Sequence, residues 1–386
     1  MRRHSTLTPA VVRAVATRLL EPAFPWQPFR RSVPVAALLA LLLLMAARRL
    51  SLSAAARRFA FGCSHETARR AVRANLPALP DLADRLGRLL RSFADRSWRR
   101  RRWDLAVDLH YAPFYGDPAA PGVIGGPKKG GTNRAYAYAT AVLLHRRRRY
   151  TVAALPLAAA PRPHLVLEAV LAQVQSAGLR VRGVVLDSGF DSGDVLLALQ
   201  RAGLAYVVPL RRKGRGPNAR NRWFDEPAGA AGVLGWKTEA GGRPVETRVV
   251  VVRRRGRRRT DVFAFGGWAA ARARAAAARW ALGKYRQRFG VETSYRQLNQ
   301  AKAPTTAKDA RLRLLLVGLA LLLRQVWVWL TERLNRGRPR RAGDWVAGWP
   351  LDRQNAWLAE AIEGDHPERK VVRLPEPLAG QTPAPR

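Results

Sequence analysis

Along "WDLAVDLHY" (103–111) apolar and polar positions alternate, with Leu105, Val107 and Leu109 on one side and Asp104, Asp108 and His110 on the other. A period of two is the signature of a half-buried strand. Turn residues follow in "GDPAAPGVIGGPKKGGTN", and then two further apolar runs, "RAYAYATAVLL" (134–144) and "YTVAALPL" (150–157), read as strands. "HLVLEAVLAQVQSAG" (164–178) has helical spacing and ends at a glycine, and "VRGVVLDSGF" (181–190) is a buried strand ending at Asp187. A helix, "SGDVLLALQRAG" (192–203), and a last strand, "AYVVPL" (205–210), complete the run. The order β-β-β-α-β-α-β predicts an α/β unit over 101–210: a mixed sheet flanked by helices.

The flanks have other periods. Residues 1–100 read as helical, and 211–268 are Gly- and Arg-rich with short strands at "ETRVVVVRR" (246–254) and "TDVFAFGG" (260–267), a small β-rich insertion. Helix resumes from about 270 and runs to 335, so that 269–335 is the helical remainder of the core; 336–386 is Pro- and Arg-rich and predicts a loose basic tail. Two stretches are apolar throughout. "VPVAALLALLLLMAA" (33–47) falls short of the roughly 20 residues that span a bilayer, and "LRLLLVGLALLLRQVWVWL" (312–330) contains Arg313 and Arg324. Both are predicted to be buried helices, and no stable membrane association is expected. The N-terminal "MRRHSTLTPAVVRAVATRLL" lacks the layout of a signal peptide.

Within the helical region, "SLSAAARRFAFGCSHETARRAV" (51–72) has the pattern of a helix-turn-helix, with Ser64 capping the second helix. His65, Thr67, Arg69 and Arg70 would then face DNA. An ordinary helical hairpin fits the same residues.

Charge narrows the partner. The chain has 69 Lys+Arg against 27 Asp+Glu, a net charge of +42, spread along its length in runs such as "WRRRRW" (98–103), "HRRRRY" (145–150) and "RRRGRRR" (253–259). Such a field concentrates a polyanion, and double-stranded DNA is the expected partner. Lys128 and Lys129, on a Gly-rich turn, are candidate phosphate contacts. A single cysteine, Cys63, excludes an internal disulfide and a multi-Cys zinc site, and suits a reducing compartment.

Against that background the acids stand out. Asp108 lies in the first strand, Asp187 at the end of the fourth, and Glu292 on a late helix whose segment "YRQRFGVETSYRQLNQAK" (285–302) holds four cations and this one acid. If the two strands are neighbours the carboxylates converge at the strand ends, where α/β sheets collect their binding sites. Three converging carboxylates repel one another unless cations lie between them. Mg²⁺, or Mn²⁺ in its place, prefers oxygen ligands, and two ions about 4 Å apart can generate a nucleophile and stabilise a leaving oxygen in phosphoryl transfer. Each acid also has a plain reading. Asp104 shares a strand face with Asp108, Asp187 can cap a helix, and Glu292 can pair with Arg288 or Arg296 one turn away.

These residues resemble the DDE transposases of bacterial insertion sequences. "DLHYAPFYG" is similar to that family's first-Asp strand and "LDSGF" to its second-Asp motif, and Tyr285, Arg288 and Glu292 match the spacing of its subgroup with a Tyr-Arg-Glu-Lys helix. Asn299 stands where that subgroup has Lys, with Lys302 three residues on, and Ser188 follows the second Asp where the family often has a basic residue. The resemblance covers about 100–335. It implies an RNase H-like core with the first and fourth strands adjacent, and Asp108, Asp187 and Glu292 as catalytic metal ligands. It further implies phosphate contacts from Tyr285, Arg288, Arg296, Asn299 and Lys302, and cleavage of transposon ends followed by strand transfer into target DNA by a homodimer on the DNA. A repurposed DNA-binding protein without cleavage activity is the alternative. RNA- or ribosome-binding and membrane roles give no reason for the three acids.

Overall fold

The computed structural model describes residues 6–29, 33–94, 96–144, 149–158, 162–214, 218–239, 241, 244–253, 260–267, 274–335 and 349–369, apart from the side chains of 96, 274–275 and 289–296. Five helices come first: α1 (Pro9–Leu20), α2 (Val35–Arg48), α3 (Leu52–Arg58), α4 (His65–Ala74) and α5 (Leu79–Arg91), followed by the single turn α6 (Arg96–Arg99). The core then runs β1 (Arg102–Pro113), β2 (Ile124–Lys129), β3 (Thr132–Leu144), β4 (Thr151–Leu157), α7 (Pro163–Gln175), β5 (Arg180–Val185), α8 (Gly193–Arg201) and β6 (Ala205–Pro209). Three strands, β7 (Ala231–Trp236), β8 (Val245–Arg253) and β9 (Thr260–Gly266), precede α9 (Arg274–Leu298), α10 (Ala310–Leu334) and α11 (Leu351–Glu363).

All nine strands form one sheet in the order β2-β3-β1-β5-β6-β9-β8-β7, with β4 also on β3. β1 is antiparallel to β3 and parallel to β5, which is parallel to β6. The expected β-β-β-α-β-α-β core is thus a mixed sheet. Two strands, β2 and β7, were not anticipated. β2 occupies what reads as a turn, because only Ile124 of its residues is buried and the rest, "GGPKK", lack strand-forming side chains. Its place is fixed by the Gly130–Gly131 hairpin, both residues with positive φ, folding it back on β3.

The β-rich segment is not a separate unit. β9 pairs with β6 and β8 with β9, so the added strands extend the core sheet. Sequence spacing does not reveal which open edge a later strand will cover.

Alternation along β1 places Leu105 and Val107 in the core beneath α7 and α8. The opposite face is covered by α9, whose Ala277, Ala281 and Tyr285 pack on Val185, Val207 and Phe263. Further along that face lies a helical layer in which α2 and α10 are almost wholly buried against α5 and α11. α10 is long and apolar enough to cross a membrane, but most of it is enclosed by the rest of the chain. Its polar residues act as internal fasteners. Gln325, fully buried, donates to Leu90 O and Thr151 O and accepts from Thr151 N, all at 3.0 Å, joining α10 to β4 and α5. Burial pushes Arg324 down to about 10, and its guanidinium donates to Arg149 O at 2.9 Å and Gln297 Oε1 at 3.1 Å.

Two expectations change at the C-terminal side. The helix from 270 does not run on to 335. It stops at Leu298, where Gln300 N and Ala301 N bond to Gln297 O and Leu298 O in turns, and "QAKAPTTAKD" crosses to Asp309, which caps α10. Nor is 336–386 entirely a loose tail, since α11 packs on α1 and α2 and buries Leu351, Leu358 and Ile362. The apolar positions of "LDRQNAWLAEAI" have helical spacing that the surrounding Pro and Arg obscure.

Candidate active site

The parallel pairing of β1 with β5 sets the site. Asp104, Leu105 and Ala106 pair with Gly183, Val184 and Val185, and two more steps in that register bring Asp108 level with Asp187. Asp108 is 8% exposed, opposite Thr140 of β3. Asp187 follows β5 at the point where the chain leaves the sheet, half-buried, and its Oδ1 accepts from Gly189 N at 2.7 Å. It therefore also caps the short 3₁₀ turn Ser188–Phe190. The cap bond engages Oδ1 and leaves Oδ2 able to accept from, or ligate, another group.

The other acid of β1 behaves differently. Asp104, 3% exposed, accepts from Arg182 Nε at 2.8 Å and Nη2 at 2.5 Å, and from Lys284 Nζ at 2.6 Å. Burial opposes its ionisation, but the bonds from Arg182 and Lys284 outweigh burial and hold its carboxyl below the usual range. Asp104 is a structural anchor, and its partner Lys284 lies on α9 one residue before Tyr285. Sequence reasoning missed Arg182 and Lys284. Only the strand register and the docking of α9 bring them to Asp104, and nothing in their own spacing signals it.

Beyond Lys284, α9 brings Arg288 to Asp108, with Tyr285 beside Arg288. Arg288, 7% exposed, lies with Nη1 3.6 Å from Asp108 Oδ1, and its guanidinium is 5.3 Å from the centre of the Tyr285 ring. Burial alone would lower its pKa, yet Tyr285, Asp108 and Asp187 raise it. Tyr285 is 9% exposed and packs against Phe263 with centroids 5.1 Å apart. Both residues are thus enclosed, Arg288 against Asp108 and Tyr285 against Arg288 and Phe263, rather than displayed on an open surface. The apolar face of α9 that seats the helix on the sheet carries them inward with it. The backbone of α9 includes Glu292 and Arg296, whose side chains lie outside the description. Asn299 does not share that helix. It sits exposed in the turn after Leu298.

Past Asp108 on the same strand face the surroundings turn cationic. His110 is pushed down to about 3 by burial and by Lys302 and Lys129. Burial, Lys129 and Arg313 in turn lower Lys302, which the chain crossing from α9 to α10 carries to this point. Lys128 and Lys129 are exposed at the end of β2. Next to Asp187, Ser188 Oγ accepts from Arg211 Nε at 2.7 Å. A carboxylate on β1 and another just past the end of the neighbouring β5, both interacting with Arg288, can hold a cation, and the lysines near His110 can hold a phosphate.

The candidate base readers lie apart, on α4. Arg69 and Arg70 are exposed and both bond Glu66, at 2.7 and 3.1 Å, pulling its carboxyl down to about 2. His65 contacts Arg57 at 3.1 Å, and Thr67 bonds the capping Ser64 at 2.9 Å. α3 and α4 pack as a pair.

No family model and no curated protein matches the chain. Among solved structures it is similar in fold to a piggyBac transposase in its synaptic complex with hairpin DNA. The likeness has a TM-score of 0.51 at 12% identity and covers 86% of this chain and 70% of that one.

Proposed function

We propose that the chain is a metal-dependent DNA transposase of the DDE type, with an RNase H-like core and with Asp108, Asp187 and Glu292 as the acids that carry cleavage of transposon ends and strand transfer. The observation that supports this reading is the parallel pairing of β1 with β5, with Ala106 opposite Val185; carried on by two residues, it would bring Asp108 level with Asp187, on the face that α9 covers. The adjacency of β1 and β5, the first and fourth strands of the expected core, supports the RNase H-like reading. The structural neighbour is a transposase on DNA, which supports the choice of substrate.

An all-oxygen donor set suits Mg²⁺ or Mn²⁺, and Asp108 and Asp187 would hold it with Glu292. Such ions, when bound, would activate a water or the DNA's own 3′-hydroxyl as nucleophile and stabilise the leaving oxygen. The chain's own residues do the rest. Arg288 balances the acids' charge and can turn toward phosphate. Lys302, Lys128 and Lys129 hold the DNA backbone. Tyr285 positions Arg288 through its ring and hydroxyl, the latter 3.5 Å from Arg288 Nη2. Asp104 and Lys284 keep α9 in place.

The test is Mg²⁺-dependent nicking of DNA bearing the inverted repeats that flank the gene. Glu292→Gln, Asp108→Asn and Asp187→Asn should each lose roughly 10²-fold or more in cleavage while binding persists or rises. Cleavage by Glu292→Gln at the parental rate would sink the assignment. Tight end binding without cleavage by the parent itself would point to the repurposed binding protein instead.

A further inference from the structure

A second group of ligating side chains lies away from the acids of β1. His164, the second residue of α7, Asp194, the second residue of α8, and Glu239, in the loop between β7 and β8, bring an imidazole nitrogen and two carboxylate oxygens within 4.8 Å of one another. We infer that these three residues form a site for a single transition-metal ion, Zn²⁺ by the chemistry of the set, which clips the added strands to the core.

Donor type separates this site from the first. One nitrogen and two oxygens suit zinc with a water as fourth ligand, whereas the acids of β1 and β5 offer oxygen alone. Tetrahedral bonds of about 2 Å need the ligand atoms about 3.3 Å apart, a closure that side-chain rotation can supply. Charge points the same way. In a chain with 69 Lys+Arg, the buried acids Asp104, Asp108 and Asp191 are each matched by Arg or Lys, while Asp194 and Glu239 have no ion pair among the described residues.

The ligands also come from three elements already held together. Asp194 Oδ1 accepts from Glu239 N at 3.1 Å, which fixes the loop over the start of α8. Gly193 permits that approach, since a Cβ there would lie 2.1 Å from Lys237 O. Asp194 is seven residues beyond Asp187, so an ion here would tie down the segment that leads out of the candidate active site.

The experiment uses the full chain stripped of metal and needs no DNA. Titration with Zn²⁺ by calorimetry should show a site of one ion per chain, with a matching rise in Tm, and Co²⁺ should give the visible absorption of a low-symmetry site containing nitrogen. His164→Ala and Glu239→Gln should each weaken Zn²⁺ binding by about tenfold or more and reduce the Tm rise accordingly. Asp108→Asn combined with Asp187→Asn should bind Zn²⁺ as the parent does. The inference fails if the parent takes up no Zn²⁺, or if Glu239→Gln, a change on an exposed loop, binds it as tightly as the parent.

Discussion

Asp104→Asn separates the two acids that share one face of β1. The carboxylate is 3% exposed and receives hydrogen bonds from Arg182 and Lys284. Arg182's side chain is 51% exposed, so water can take over much of what it loses, and its share is about 1 kcal/mol or less. Lys284's is 16% exposed, and stranding it costs more, since a hydrogen bond to a charged group contributes about 1.5–3 kcal/mol. Asn keeps one acceptor oxygen and recovers part of this. The expected loss is about 2–3 kcal/mol, below the 3–5 typical of breaking a fully buried pair. Urea unfolding at pH 7 measures it. The acid limb gives the sign. The folded-state pKa of Asp104 is depressed, so its contribution is present above the unfolded value of about 3.9 and fades as pH falls through the lower folded one. The gap between parent and variant should therefore close in acid. A difference under about 0.5 kcal/mol at pH 7, or one that persists at the lowest pH where both fold, would refute the reasoning.

Further outcomes follow from the same contacts. Affinity for duplex DNA should fall steeply as salt rises, and flat affinity between low and high salt would remove the phosphate-binding reading. Lys302→Ala should weaken end binding and reduce its salt slope by about one, whereas Asn299→Lys, placed in an exposed turn, should tighten binding by about 1 kcal/mol at most; filter binding across a salt series tests both. Glu66→Gln should free Arg69 and Arg70 and strengthen DNA binding, and the double change Arg69→Ala with Arg70→Ala should lose preference for the ends while retaining non-specific binding. Gln325→Leu should destabilise by about 2–4 kcal/mol, because Leu90 O and both backbone groups of Thr151 lose their buried partner, as thermal unfolding would show.

Much of the core is written in local periodicity. Alternation in "WDLAVDLHY" fixed the strand and the inward face of Leu105 and Val107, and the apolar runs at 164–178, 181–190 and 192–203 placed α7, β5 and α8, because burial of one face dictates spacing. The enclosed character of 312–330 was legible too, since arginines within an apolar run need internal partners. Other features depend on contacts between residues far apart in sequence. Asp104 and Asp108 have the same local signal, and only the register of β5 and the docking of α9 give one of them Arg182 and Lys284 and leave the other facing Arg288. The extension of the sheet by β7, β8 and β9, the turn that removes Asn299 from its helix, and the meeting of His164, Asp194 and Glu239 are likewise tertiary. Periodicity tells a segment which of its sides to bury; which partner covers that side is decided by the global packing, where edges, registers and charges are satisfied together.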